Sequence, residues 1–197
     1  MAESKSIVGT ETEKNLVIAY LSESAAYSRY VFYAQQATKE SLFPVANVFQ
    51  ETADNELHHA KIYFKYLEGA RVVEVPMSTN AGVIGTTADN LKIAMAEEQS
   101  EGVDFYVKAS EKAREEGFDD IADHFAAIAT IEKSHYARFE RYLKHIENGT
   151  LWKRDKPVKW RCLVCGYIFE GTEPPKPCPA CNHPYQHYIA LEDLALE

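Results

Sequence analysis

Apolar residues recur at helical spacing through most of this chain, and each repeat is interrupted by a carboxylate on its own apolar face. Thr10 with Glu13 resembles a capping box, and no Gly or Pro follows until after Glu40. Within that stretch Leu16, Tyr20, Glu23, Tyr27, Tyr30 and Ala34 fall on one stripe. A second helix is predicted from Pro44, a residue suited to a first helical turn, to a point before Gly69. Its stripe is Val45, Val48, Thr52, Glu56, His59, Tyr63 and Tyr66. Residues 70–86 contain Pro76, Gly82 and Gly85 and have no helical period, so they read as a long crossover between two helical hairpins. Thr86 or Thr87 caps a third helix with Leu91, Ala94, Glu98, Glu101 and Phe105 inward, closed by Gly117. The fourth runs from about Asp119 to Glu147, with Ile121, Phe125, Ile128, Glu132, His135, Phe139 and Tyr142 inward and Gly149 beyond it. The prediction for residues 1–149 is an all-α four-helix bundle.

At Thr150 the pattern stops. Trp152 to Lys159 is a charged, proline-containing tether, and the remaining residues are organised by cysteine rather than by apolar period. A domain spanning 150–197 has too little core of its own and needs a metal staple.

The charges inside the stripes carry the chemistry. E-x-x-H occurs at Glu56–His59 and again at Glu132–His135, 76 residues later. Residues three apart share a helical face, so each copy points a carboxylate and an imidazole the same way. Glu23 lies 33 residues before Glu56, and Glu98 lies 34 before Glu132. Four helices that each bring a carboxylate inward, two of them adding a histidine, describe the di-metal carboxylate site of a four-helix bundle. Left without cations such a cluster would repel itself, at a cost of several kcal/mol for each unpaired buried charge. Glu101, one turn after Glu98, gives the second half a carboxylate where the first half has Ala26. Glu97 is expected about 100° away, on the surface. His58 is rotated away from His59 and is expected in solvent or behind the ligands rather than among them, whereas His124, His145, His183 and His187 have no partner at ligand spacing and read as structural or exposed. Tyr27, Tyr30 and Tyr106 stand where a phenol could reach the carboxylates, or serve as core aromatics.

Composition narrows the functional classes. The chain has 197 residues, a formal charge of −9 and a pI near 5.3, which argues against nucleic-acid binding. Six basic residues balance six acidic ones from Leu151 onward, so the whole excess belongs to the helical part. Nothing at the N-terminus reads as a signal peptide or membrane span, and a cytoplasmic location is expected. All four cysteines fall in Cys162-x-x-Cys165 and Cys178-x-x-Cys181, which suits a metal site in a reducing compartment and leaves no thiol for a cysteine peroxidase. Two such pairs make a tetrahedral four-sulfur cage for zinc or iron. Cys162-Leu-Val-Cys165-Gly166-Tyr167 and Cys178-Pro179-Ala180-Cys181 look like the two knuckles of rubredoxin, a one-iron electron carrier, with Trp160, Tyr167 and Phe169 as a small aromatic core beside them.

Taken together, Glu23-Ser24, Glu56-Leu-His-His59, Glu98-Gln-Ser-Glu101, Glu132-Lys-Ser-His135 and the cysteine knuckles resemble the rubrerythrin family over nearly the whole chain. The resemblance implies a ferritin-like di-iron bundle followed by a small metal-stapled rubredoxin-like domain. It implies that Glu56 and Glu132 bridge two irons, that Glu23 and Glu98 are terminal ligands, and that His135 is a fixed ligand. His59 and Glu101 would exchange with the oxidation state, and Tyr30 and Tyr106 would stand behind the ligands. Cys162, Cys165, Cys178 and Cys181 would hold a third, mononuclear iron. The implied activity is reduction of hydrogen peroxide to water in oxidative-stress defence, in a homodimer or higher homo-oligomer. No dinucleotide fingerprint is present, so an external reductase or rubredoxin must supply electrons. The rival readings are a ferroxidase of the ferritin kind, an oxygen-activating oxidase, and a non-enzymatic zinc-ribbon adaptor on a helical bundle.

Overall fold

Thr10 opens the first helix through its hydroxyl, which accepts a hydrogen bond from Glu13 N at 3.1 Å. The Glu13 carboxylate reaches back to Gly9 N at 2.8 Å, one residue further out than a standard capping box. Thr86, of the two candidates, caps the third helix in the reciprocal way: Asp89 N donates to its hydroxyl, and Thr86 N donates to Asp89. The computed structural model describes residues 5–80 and 82–194, and of Glu101 the backbone alone. It contains α1 (Glu11–Lys39), α2 (Phe43–Tyr66), α3 (Thr87–Glu97), a π-helical segment (Glu98–Asp104), α4 (Phe105–Glu115) and α5 (Asp119–Glu147). Since α3, the π segment and α4 follow without a break, the result is four long helical segments of ferritin-like type, followed by a small strand region. Among the described residues, no helix is long and apolar enough to cross a membrane.

The third segment departs from expectation. An unbroken α-helix would turn Phe105 inward after Glu98 and Glu101. The π turns take up an additional residue, and the inward position passes to Tyr106, which is buried, while Phe105 is only partly so.

The chain divides into two compact units. One draws on residues up to Tyr30, on Thr52–Gly82 and on Ala96–His135. Its core joins Leu16 and Ala19 of α1 to Tyr63, Tyr106, Phe125 and Ile128, with the Tyr63 ring 5.0 Å from Phe125 and 5.5 Å from Tyr106. The inward stripes of α1, α2 and α5 are buried as their spacing requires, Tyr20, Tyr27 and Tyr66 being only partly so.

The other unit draws on Val31–Glu51, on Val83–Met95 and on the chain from Tyr136. Tyr33, Phe49 and Phe139 cluster within it, at ring separations of 5.5 and 5.1 Å. Its strands β1 (Val158–Cys162), β2 (Ile168–Gly171) and β3 (Tyr188–Ala190) form an antiparallel sheet in the order β2-β1-β3, with Trp160 opposite Phe169 on one side and Ala190 on the other. Trp160 and Tyr188 fill the small core with Cys162 and Cys178. Tyr167, expected there, is 38% exposed, and Tyr188 takes the place instead because β3 pairs it with Cys162.

The segment after Thr150 is not a loose tether. Leu151 is buried, and Trp152 Nε1 donates to the Tyr188 carbonyl at 3.1 Å. Arg154 pairs with Glu192 at 2.6 Å and with buried Asp193 at 2.7 Å. Asp193 also meets His145 Nε2 of α5 at 3.2 Å, and Phe43 of α2 stacks on His187 with centroids 3.8 Å apart. Asp193→Ala leaves Arg154 and His145 without their shared acceptor, so the chain should lose on the order of 1–3 kcal/mol. Hydrogen exchange should locate the loss, with faster exchange at Thr150–Arg154 and little change at the buried stripes.

Candidate metal centres

The E-x-x-H spacing turns both histidines into the bundle with Nδ1 leading. His59 Nδ1 lies 2.9 Å from Glu56 Oε2 and 3.2 Å from Glu132 Oε1. His135 Nδ1 lies 2.7 Å from Glu132 Oε2 and 3.1 Å from Glu56 Oε1. Glu56 and Glu132 therefore each present one oxygen to each histidine. Glu23 stands only on the His59 side, at 3.8 Å, and Glu98 only on the His135 side, at 3.6 Å. Two overlapping sets follow: Glu23, Glu56, His59 and Glu132, and Glu56, Glu98, Glu132 and His135, with one ligand atom from each residue inside 4.8 Å. All six side chains are buried.

These contacts do not satisfy the cluster. Glu56 Oε1 and Glu132 Oε1 have no partner with hydrogen-bond geometry among the described residues. Oxygens in that condition are costly unless a cation meets them, and an all-oxygen and imidazole donor set suits a divalent first-row metal. The residues present fit a two-metal site, with Glu56 and Glu132 common to both positions.

Titration follows the same geometry in the metal-free chain. Burial resists charge on His59, but Glu132, Glu23 and Glu56 outweigh it and push its pKa to about 12. His135 is raised in the same sense against burial, by Glu56 and Glu132. Burial also pushes Glu56 upward, yet His135 and His59 hold it down at about 2. Glu23 and Glu98, with fewer cationic neighbours, are raised well above the usual carboxylate range by burial and by the charge of Glu56. Metal ions therefore compete with protons on His59, His135, Glu23 and Glu98. Loading the metal-free protein near neutral pH should release protons, and affinity should rise with pH; calorimetry in buffers of different ionisation enthalpy measures the release.

Tyr30 donates to Glu98 at 2.6 Å and Tyr106 donates to Glu23. Tyr27 is half-buried and makes no hydrogen bond to the cluster. The side chain of Glu101 lies outside the described residues; its backbone belongs to the π segment. Glu97 is not on the surface. It is buried and ion-paired with Arg29 of α1, whose guanidinium makes a buried position tolerable for its charge. His58 is exposed, and among the described residues neither it nor His124, His145, His183 or His187 joins a cluster of metal-ligating groups.

The π segment was missed by sequence reasoning, although a signal existed. Glu23 and Tyr30 are seven residues apart, whereas Glu98 and Tyr106 are eight apart. The offset between the halves changes from 75 to 76 inside Glu98–Asp104, where the wider turns absorb the added residue. Gly102 sits in this segment with its backbone against α5: a Cβ there would lie 2.7 Å from Glu132 Cγ. Gly102→Ala should displace Glu132 and empty the carboxylate site while the four-cysteine site stays loaded. Metal content per chain, compared with the thiolate absorption, checks this, and full loading of both sites would refute it.

A cavity of about 30 Å³ adjoins the cluster, walled by Glu23, Glu56, Glu98 and Glu132 together with Ala26, Arg29, Tyr30 and Tyr106.

The four cysteines converge from two loops of the same construction. Cys162 N donates to Tyr167 O and Gly166 N to Cys162 O; Cys178 N donates to His183 O and Asn182 N to Cys178 O. Gly166 and Asn182 hold corresponding places at φ of 78° and 58°, the left-handed conformation that glycine and asparagine tolerate. Cys162 Sγ lies 3.8 Å from Cys181 Sγ, and Cys165 Sγ lies 3.8 Å from Cys178 Sγ. Burial raises the Cys178 thiol, but the Tyr188 hydroxyl and the amides of Ala180 and Cys181 overcome it and bring it to about 6. Such donors favour thiolate, the form that binds metal.

Comparison with known proteins finds two matching family models. The family model described as rubrerythrin matches residues 14–143, and that of the rubrerythrin rubredoxin-like domain matches residues 160–189. The chain is 44% identical over 188 residues to rubrerythrin of Porphyromonas gingivalis, covering 95% of this chain and 94% of that protein. It is 42% identical over 187 residues to rubrerythrin of Nitratidesulfovibrio vulgaris, covering 95% and 97%. Among solved structures, nigerythrin in a mixed-valence state matches with a TM-score of 0.60 and 26% identity, covering 96% of this chain and 90% of that one. The buried carboxylate–histidine bundle and the four-cysteine module are thus those of a family, and the chain belongs to the rubrerythrins.

Proposed function

We propose that this chain reduces hydrogen peroxide to water in oxidative-stress defence, at two irons held by the carboxylate–histidine cluster. The observation that carries the reading is the cavity of about 30 Å³ beside Glu23, Glu56, Glu98 and Glu132. A space that small beside the ligating carboxylates suits a small substrate such as peroxide. Iron is supported by the fully reduced nigerythrin structure, which is described as all ferrous and matches with a TM-score of 0.59.

Glu56 and Glu132 would bridge the ions, Glu23 and Glu98 would be terminal ligands, and His135 a fixed one. His59 and Glu101 would exchange. When bound, the iron pair supplies the two electrons that cleavage of the peroxide bond requires and the Lewis acidity that favours it. Tyr30 and Tyr106 orient the terminal carboxylates through their hydroxyls. Burial and the neighbouring Glu98 and Glu23 hold both phenols protonated, so both remain donors at the cavity wall.

Cys162, Cys165, Cys178 and Cys181 would hold a third iron in the domain from residue 150 on and pass electrons one at a time to the bundle of residues 1–149. An external reductase or rubredoxin would supply them. A cytoplasmic homodimer, or a higher homo-oligomer, belongs to the same reading.

Anaerobic stopped-flow spectroscopy on the reduced, iron-loaded protein tests the proposal. Peroxide should reoxidise it quickly and air-saturated buffer slowly, with the red absorption of the ferric four-sulfur site developing. The opposite order of rates would favour a ferroxidase or oxidase. Cys178→Ala should abolish turnover from an external donor yet leave the direct reaction of a pre-reduced carboxylate site intact.

A further inference from the structure

The two halves of the carboxylate site are alike in their ligating groups and unlike in what stands behind them. Both histidines turn Nδ1 to the carboxylates, which leaves each Nε2 facing away. Behind His135 stands Asn55, whose side-chain amide lies 3.3 Å from Nε2. Behind His59 no hydrogen-bonding group meets Nε2 among the described residues. The difference is written in the sequence. Asn55 immediately precedes Glu56, and the 76-residue offset between the E-x-x-H motifs puts Ile131 immediately before Glu132. An isoleucine offers neither donor nor acceptor.

A neutral imidazole that gives its Nδ1 lone pair to a metal carries its proton on Nε2, and that proton needs an acceptor. The Asn55 amide can supply one. A half-turn of its terminal torsion exchanges Oδ1 and Nδ2 while the heavy atoms keep their places. We infer that Asn55 is a positioning residue of the metal site: its carbonyl accepts the Nε2 proton of His135 and fixes that ring, making His135 the permanent ligand. His59, whose Nε2 meets no hydrogen-bonding group among the described residues, lacks that restraint. The inference rests on the two-metal reading of the cluster and not on the identity of the substrate.

Cobalt(II) titration of the full chain tests it, with the four-cysteine site first filled with zinc. Asn55→Leu should weaken binding at the carboxylate site roughly 10–100-fold and change the cobalt d–d bands. Asn55→Asp keeps the acceptor and should restore the native bands. Ile131→Asn, at a position 39% exposed and therefore gentle to the fold, should add the missing partner to His59 and tighten binding. Native affinity and native bands in Asn55→Leu would overturn the proposal. If that variant fails to fold, judged by its far-ultraviolet dichroism, Asn55→Asp and Ile131→Asn decide, and no effect of Ile131→Asn together with lost bands in Asn55→Asp would equally overturn it. Native protein that binds no cobalt at the carboxylates would refute the two-metal reading itself, whereas a failure of peroxide turnover would leave the titration standing.

Discussion

Burying a carboxylate in a helical core is unfavourable unless its charge is shared, and these helices bury Glu23, Glu56, Glu98 and Glu132 within reach of one another. Two imidazoles compensate only part of that charge and leave Glu56 Oε1 and Glu132 Oε1 without hydrogen bonds. Much of the surrounding structure answers this one problem. Tyrosines on α1 and α4 hold Glu98 and Glu23, Asn55 stands behind one histidine, and Arg29 accompanies the additional charge of Glu97. The cluster is poorly satisfied as a structural core and well arranged as a cation receptor, which ties the folding of the bundle to the chemistry at its centre.

The four-cysteine module solves a different problem with little core. Its sheet is three short strands, and its knuckles depend on two left-handed residues and on amides aimed at sulfur. It is also held to the end of α5 through Asp193, His145 and Arg154, within one compact unit.

The parts of this architecture that obey a fixed period were legible in the sequence. The stripes of α1, α2 and α5, the capping threonines and the paired E-x-x-H motifs all repeat at helical spacing, and side-chain burial follows that spacing. What escaped was local and aperiodic. The π turns broke the register of the third segment, so Tyr106 replaced Phe105 inside, and Glu97, just before them, is buried against Arg29. Trp152 and Arg154 looked like solvated linker because their partners, Tyr188 and Asp193, lie far along the chain. A periodicity argument sees neighbours on one helix; it does not see a buried ion pair made by a residue of another element.

The added residue between Glu98 and Tyr106 has a consequence for the symmetry of a site built from two matching halves. Two identical halves would make two interchangeable metal positions. One insertion, accommodated as a wider turn instead of a kink, breaks that symmetry at the backbone itself. The halves are therefore no longer equivalent, and Tyr30 and Tyr106 reach Glu98 and Glu23 from backbones of different geometry.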